Sequence, residues 1–154
     1  MASQGIADPD RLAILGWSYG GYAALQSSVV APDLFKAVVA IAPVTDLGML
    51  KTEMNDYTSA RINRDFIGSG PHVEQGSPLP NVAQISVPVL LFHGDRDANV
   101  GVAQSQAMDN ALRGAGKETE HSRTVRTVFW RPWPGRAKLA KSCSPTNRDA
   151  ASRM

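Results

Sequence analysis

The sequence is poor in the features that mark secreted and membrane proteins. It holds a single cysteine, Cys143, which excludes an internal disulfide. No apolar run approaches the length that spans a bilayer, and residues 1–8 have neither the basic nor the apolar region of a signal peptide. These absences predict no membrane partner and make the cytoplasm the default location.

Histidine is also scarce, with 3 residues among 154, and the charged residues are unevenly distributed. Residues 1–120 hold 8 Lys/Arg against 13 Asp/Glu, a net charge of −5, whereas residues 121–154 hold 8 against one, a net charge of +7. The chain therefore divides into a globular part, 1–120, and a basic tail, 121–154. We expect the tail to be disordered or to result from a shifted reading frame.

The tail places Trp130 and Trp133 among arginines, a composition that suits single-stranded nucleic acid. A charge run is nevertheless usually a solvated segment, and the tail shows no nucleic-acid-binding motif. The sequence therefore predicts no nucleic-acid partner.

Short apolar runs alternate with helix-like segments in residues 1–120. The predicted strands are Leu12–Gly16, Ala37–Ile41 and Pro88–His93, and Thr124–Trp130 has the composition of one more. The predicted helices are Gly20–Ala31, a segment around Thr58–Ile67, and Val102–Arg113, with a Pro/Gly-rich connector at Pro71–Pro80. Nearly continuous apolar strands suit a parallel sheet covered on both faces, so the predicted fold class is α/β.

The hexapeptide Gly-Trp-Ser-Tyr-Gly-Gly at residues 16–21 lies between the first predicted strand and the first predicted helix. A G-x-S-x-G motif in this context is typical of a nucleophile elbow, in which a tight turn lifts the serine hydroxyl clear of the sheet. We expect Gly16 and Gly20 to be required by the tightness of that turn. The backbone N–H of Tyr19 is then placed to stabilise an oxyanion beside Ser18.

An acidic loop, residues 94–100, follows the third predicted strand. Catalytic groups of open α/β sheets cluster beyond the carboxyl ends of the strands, where an acid can orient an imidazole. Asp95 and Asp97 both qualify, and both have the simpler reading of a solvated turn residue or a cap for the next helix. The pattern of residues leaves the choice between them open.

Four motifs together resemble the prolyl oligopeptidase (S9) family of serine peptidases, in particular its dipeptidyl-peptidase IV and acylaminoacyl-peptidase branches. They are Gly16–Tyr22, Ile41–Asp46, Ser77-Pro78 and His93–Val100, and the similarity covers roughly residues 5–120. The resemblance implies a partial α/β-hydrolase fold that lacks its N-terminal strands and ends in an irregular tail. A missing upstream domain or an oligomer partner would complete it.

The resemblance also implies a reaction, the hydrolysis of short peptides through a serine acyl-enzyme, with no cofactor and no metal. It assigns the nucleophile to Ser18, the triad acid to Asp97 and an oxyanion donor to the Tyr19 amide. It places Asn99 and Val100 beside the substrate and gives His93 a structural role in the acidic loop. The family's proline-accepting aromatics have no counterpart in Asp46–Leu50, which speaks against strict cleavage after proline.

The general base is the part of the triad that the sequence does not supply. The family places its histidine about thirty residues beyond the acid, where this chain reads Val-Phe-Trp-Arg-Pro-Trp at residues 128–133. We expect His72 to be an exposed loop residue, and His121 comes too early in the chain for the base. A shifted frame after about Glu120 would explain the missing histidine, and an ester-cleaving hydrolase or a non-catalytic remnant remain as alternatives.

Overall fold

The protein is described here by a computed structural model that covers residues 5–54 and 60–123. A parallel four-stranded sheet lies at its centre, with the strands in the order β1-β2-β3-β4. The strands are β1 (Ala13–Trp17), β2 (Ala37–Ile41), β3 (Val89–Phe92) and β4 (Thr119–Ser122). The helices are α1 (Tyr19–Val30), α2 (Leu47–Glu53), α3 (Ala60–Ile67), α4 (Pro71–Gln75) and α5 (Val102–Gly114).

The predicted α/β alternation is confirmed, and the predicted strands and helices agree with the structure to within a residue or two where it describes them. The fourth strand, β4, was not predicted, because its sequence Thr-Glu-His-Ser has no apolar run. It lies at the edge of the described sheet and pairs with β3 alone. An edge strand tolerates polar residues. The strand expected at Thr124–Trp130 lies outside the described residues.

The connector predicted at Pro71–Pro80 is wrong in its first half, which forms α4. Pro71 is the first residue of that helix, a position where proline loses no intrahelical hydrogen bond. The helix α2 was also missed. Its start is marked by Asp46, whose Oδ1 accepts a hydrogen bond of 2.8 Å from the Met49 amide.

The hydrophobic core lies on one face of the sheet. Val38, Ala40, Val89 and Leu91 point to that face, and α1 and α5 cover it with the side chains Ala24, Leu25, Val29, Met108 and Leu112. The predicted burial of both faces is wrong for the described part of the chain. Because the strand order never reverses, right-handed crossovers place the connecting helices on the same side.

The opposite face of the sheet stays largely open within the described residues. Leu15 and Trp17 of β1 point to it and are 67% and 72% exposed. Register places Leu15 beside Val39, and Val39 beside Leu90, so the open face is apolar across three strands.

Register also brings the strand ends together. Trp17 pairs with Ile41, and Ile41 pairs with Phe92, so β1, β2 and β3 end at the same level. The segments that follow them carry Ser18, Ala42 and His93–Val100. These segments therefore leave the sheet at the same end, the carboxyl end of the strands.

Candidate active site

Ser18 occupies a strained turn between β1 and α1. Its φ and ψ are 56° and −122°, a conformation that a residue with a side chain rarely adopts. The turn is fixed from both sides, since the Ser18 amide donates to Ile41 O at 2.8 Å and the Ser18 carbonyl accepts from the Tyr22 amide at 3.1 Å. The residue itself is exposed, as a nucleophile must be to reach a substrate.

The glycines of the motif contribute unequally to this turn. A Cβ at Gly16 would lie 2.0 Å from Gly20 O, and a Cβ at Gly21 would lie 3.0 Å from the Pro43 Cβ, whereas a Cβ at Gly20 would meet nothing within 4 Å. The expectation that Gly20 is sterically required is therefore wrong. Gly16 is the obligatory glycine, because the backbone of Gly20 fills the space above it.

The Tyr19 amide lies in the first turn of α1, where backbone N–H groups have no intrahelical acceptor. The helix dipole adds partial positive charge at that end, which favours a developing oxyanion. The Tyr19 ring packs on the Tyr22 ring with centroids 4.9 Å apart, and the Tyr22 hydroxyl donates to Gly76 O at 2.8 Å. Burial, and to a smaller extent Tyr19, raises the pKa of Tyr22.

Asp97 and Asp95 differ in how their carboxylates are held. Asp97 Oδ1 accepts hydrogen bonds from the amides of Asn99 at 2.9 Å and Val100 at 3.1 Å, which fix its orientation. Asp95 is exposed and pairs with Arg123 at 3.1 Å. Neither residue caps the next helix, because the N-cap of α5 is Gly101. The oriented carboxylate is that of Asp97.

His93 is fully buried behind the acidic loop. Its Nδ1 lies 2.7 Å from Ser105 Oγ on α5, and its Nε2 lies 2.9 Å from Val100 O. Asp97 Oδ2 is 3.9 Å from the same Nε2. Both ring nitrogens are thus engaged in holding the loop on α5, as a structural role requires.

A cleft of about 720 Å³ opens at the carboxyl end of the strands, beside the ends of β1, β2 and β3. It is lined by Trp17 at the end of β1, by Phe92 at the end of β3, and by Asp95, Asp97 and Arg123. Ser18 directly follows β1 and Asp97 lies in the loop after β3, and these two strands are two strand spacings, roughly 10 Å, apart.

All three histidines of the chain lie in the described part, and none is hydrogen-bonded to Ser18 there. His72 is exposed as expected, but it lies on α4 and its Nε2 contacts Ile67 O at 2.8 Å. His121 lies on β4 and pairs in register with Leu91, on the face that α5 covers. The described residues therefore bring the predicted nucleophile and the predicted acid to one end of the sheet but place no histidine in contact with Ser18.

A second, apolar pocket of about 390 Å³ lies beside the elbow, and the motifs did not predict it. Tyr19 and Tyr22 line one side, and Leu50, Met54 and Phe66 contribute apolar surface. Its shape depends on α2 and α3, whose amphipathic spacing was the available signal.

The two residues predicted to contact substrate differ in exposure. Val100 is buried in a cluster with Val44, Leu47 and Leu50. Leu47 and Leu50 of this cluster also line the apolar pocket. Asn99 is exposed at the tip of the acidic loop.

The described residues contain no group of three His, Cys, Asp or Glu side chains that could hold a metal ion. The same residues form no helix long and apolar enough to cross a bilayer.

The sequence profile of the prolyl oligopeptidase family matches residues 1–125 of the chain. The chain belongs to the prolyl oligopeptidase family. Its relatives in that family include dipeptidyl peptidase family member 2 of Caenorhabditis elegans, 36% identical over 120 residues, and human dipeptidyl peptidase 8, 37% identical over 117 residues. These alignments cover 73% and 71% of this chain, which spans 13% and 12% of the length of the two relatives.

Among solved structures, a puromycin-hydrolysing peptidase of Mycobacterium tuberculosis superposes with a TM-score of 0.70 at 31% sequence identity. The match covers 80% of this chain and 19% of that structure's chain. The described residues are therefore a portion of the α/β-hydrolase fold of this peptidase family.

Proposed function

We propose that the chain carries the nucleophile and the acid of a serine peptidase that hydrolyses short peptides through an acyl-enzyme. Ser18 is the nucleophile, Asp97 the acid that orients the base, and the Tyr19 amide one oxyanion donor. The observation that carries the proposal is that the strained turn of Ser18 and the oriented carboxylate of Asp97 both follow the carboxyl ends of strands in one sheet. The peptidase names of the relatives support a peptide substrate.

The first chemical step is the attack of Ser18 Oγ on the carbonyl carbon of the scissile bond. Its proton passes to a base and then to the leaving amine, while the Tyr19 amide stabilises the negative charge on the carbonyl oxygen. Water, activated by the same base, then cleaves the acyl-enzyme and releases Ser18. An unassisted serine is a weak nucleophile at neutral pH, so full activity depends on a base between Ser18 and Asp97.

We propose that the missing base reflects a shifted reading frame near the start of residues 121–154. The strand β4 continues to Ser122, Arg123 pairs with Asp95, and the family match extends to residue 125. Translation of the coding sequence in the other two frames should reveal a Gly- and His-containing turn about thirty residues beyond Asp97. If neither frame contains one, this explanation fails.

The apolar pocket beside Ser18 suits an apolar side chain on the residue before the scissile bond. Its far wall consists of Leu50, Met54 and Phe66, and the Asp46–Leu50 segment has no aromatic residue. We therefore propose a preference for substrates with a bulky apolar residue at that position, without a requirement for proline. The cytoplasmic location stays a prediction.

The test is covalent labelling of the whole chain by a fluorophosphonate probe, with Ser18→Ala as the control. We expect slow labelling at Ser18, because an elbow with an oxyanion donor retains part of the reactivity of a complete triad. Labelling equal to that of the Ser18→Ala control would contradict the proposal and favour a non-catalytic remnant.

The same assay separates the two candidate acids. Once a histidine-containing frame is restored after Arg123, Asp97→Asn should slow labelling by roughly 10³-fold or more. Asp95→Asn should leave the rate within about threefold, because its carboxylate pairs with an exposed arginine at the surface. Equal effects of the two substitutions would refute the assignment of the acid to Asp97. Hydrolysis of nitrophenyl esters compared with dipeptidyl amides then distinguishes an esterase from a peptidase.

A further inference from the structure

The loop that carries Asp97 meets α2 at its far end, although the two segments are about fifty residues apart in sequence. Glu53, the last residue of α2, places its Oε2 3.3 Å from the Gly101 amide. Gly101 is the N-cap of α5 and has no side chain of its own to satisfy the first amides of that helix. Glu53 accepts from the amide of the N-cap residue itself, and its charge suits the positive end of α5.

Gln104 extends this contact into the interior. Its side chain is fully buried, and its Oε1 accepts hydrogen bonds from the amides of Thr45 and Asp46, both at 2.9 Å. Its Nε2 donates to Asp46 O at 3.3 Å and to Glu53 Oε2 at 3.4 Å. One side chain of α5 therefore holds both the segment that leads into α2 and the carboxylate at the end of α2.

We infer that Glu53 and Gln104 are positioning residues that fix the acidic loop against α2. The inference rests on the proposed function in one respect, since it takes Asp97 as the acid of the reaction. The Asp97 carboxylate is held by the amides of Asn99 and Val100, the two residues before Gly101. The contact between Glu53 and the Gly101 amide therefore fixes the position of that carboxylate. Displacement of a catalytic group by about 1 Å costs on the order of 10²-fold in rate.

The same pair couples the acidic loop to the wall of the apolar pocket. Leu47 and Leu50 of α2 pack in one buried cluster with Val100, and α2 begins at the residues that Gln104 binds. The acid and the pocket therefore share one rigid support. A substrate side chain that moves α2 is expected to shift the loop of Asp97 as well.

The experiment compares three variants, with hydrogen exchange measured on the whole chain and fluorophosphonate labelling measured on the chain whose histidine-containing frame has been restored after Arg123. Glu53→Ala removes the acceptor, and Glu53→Gln keeps an oxygen at the same distance. Thr52→Ala is the matched control, because Thr52 is exposed on the same helix and its hydroxyl donates to Gly48 O of that helix. We expect Glu53→Ala to speed exchange at the Gly101 amide about tenfold and to slow labelling about tenfold. Glu53→Gln should stay within about threefold of the parent in both, and Thr52→Ala should match it.

Gly101→Ala perturbs the same contact without removing the carboxylate. The backbone of Gly101 has φ −62° and ψ 136°, which alanine adopts readily, but its Cβ would lie 3.0 Å from Glu53 Oε1. If both substitutions act through this contact, the double variant should label no more slowly than Glu53→Ala alone. Additive effects would overturn the inference.

Asp97→Asn in the same chain separates the two possible failures. If Asp97→Asn slows labelling and Glu53→Ala does not, the positioning role is wrong and the proposed function stands. If Asp97→Asn leaves labelling unchanged, the proposed role of Asp97 is wrong, and the exchange measurement alone then decides whether Glu53 fixes the loop. Unchanged exchange at residues 99–101 in Glu53→Ala overturns the inference in either case.

Discussion

The turn that presents Ser18 and the loop that carries Asp97 are held by different kinds of contact. The tightest steric constraint on the turn comes from a neighbouring residue, because a Cβ at Gly16 would lie 2.0 Å from Gly20 O. The loop is anchored instead by Glu53 and Gln104, through contacts that span 48 to 59 residues of sequence. The proposed nucleophile therefore depends mainly on local backbone geometry, and the proposed acid depends on tertiary packing.

The largest effect expected from this comparison follows from changing Gly16 to alanine. The added Cβ would lie 2.0 Å from Gly20 O, and backbone cannot move away as a flexible side chain can. Gly16→Ala should lower the free energy of unfolding by more than about 4 kcal/mol, measured by urea denaturation. Gly20→Ala is the control, with a change of no more than about 1 kcal/mol and in the stabilising direction. Similar losses in both variants would show that the turn is not limited by this one approach.

A smaller loss is expected when the anchor of the acidic loop is removed. Gln104→Met keeps the size of the side chain but leaves the amides of Thr45, which is buried, and Asp46, which is partly buried, without their acceptor. The free energy of unfolding should fall by about 3 kcal/mol. Gln106→Met, two residues further along α5 at a partly exposed position, should change it by less than about 0.5 kcal/mol. An equal, small change in the two variants would contradict long-range anchoring.

The smallest expected effect is on the pH dependence of the free energy of unfolding, and it involves His121 on β4, the strand that pairs with β3. Burial lowers the pKa of His121, an effect that Asp109 partly opposes, and its buried Nε2 has no hydrogen-bond partner among the described residues. The unfolded chain therefore binds this proton more readily than the folded one. The stability contribution is complete above about pH 6.5 and declines as the pH falls below that value.

Because the ring of His121 is only partly buried, the decline should amount to at most about 1 kcal/mol. Denaturation midpoints measured between pH 7.5 and pH 5 provide the test. His121→Gln should flatten this part of the pH profile. A profile that His121→Gln does not alter would assign the pH dependence to other groups.

The difference between the two sites also explains what the sequence could predict. The elbow follows from six consecutive residues, because its strand, its turn and its helix all leave a local pattern. The location of the loop after the third strand leaves two candidates for the acid, Asp95 and Asp97. Only the family resemblance favours Asp97. No local pattern relates Glu53 to Gly101, since that contact exists only after α2 and α5 have packed together.

The elements that were missed divide in the same way. The helix α2 carried a usable local signal, namely Asp46 as a cap followed by Leu47 and Leu50 three residues apart. The strand β4 carried none, because a polar tetrapeptide becomes a strand only when β3 offers an edge to pair with. The open face of the sheet could not be foreseen either, as it depends on the direction in which the strands are added.

The order of the strands has a consequence for how the chain can be assembled during synthesis. Each strand joins the edge left by the strand before it, so a growing polypeptide can extend the sheet without reopening any pair already formed. The turn of Ser18 can close once the chain has been made as far as Pro43, because Ile41 O accepts from the Ser18 amide and Pro43 packs against Gly21. The support of Asp97 is completed only when α5 follows, so the proposed nucleophile is shaped before the residue proposed to direct its proton.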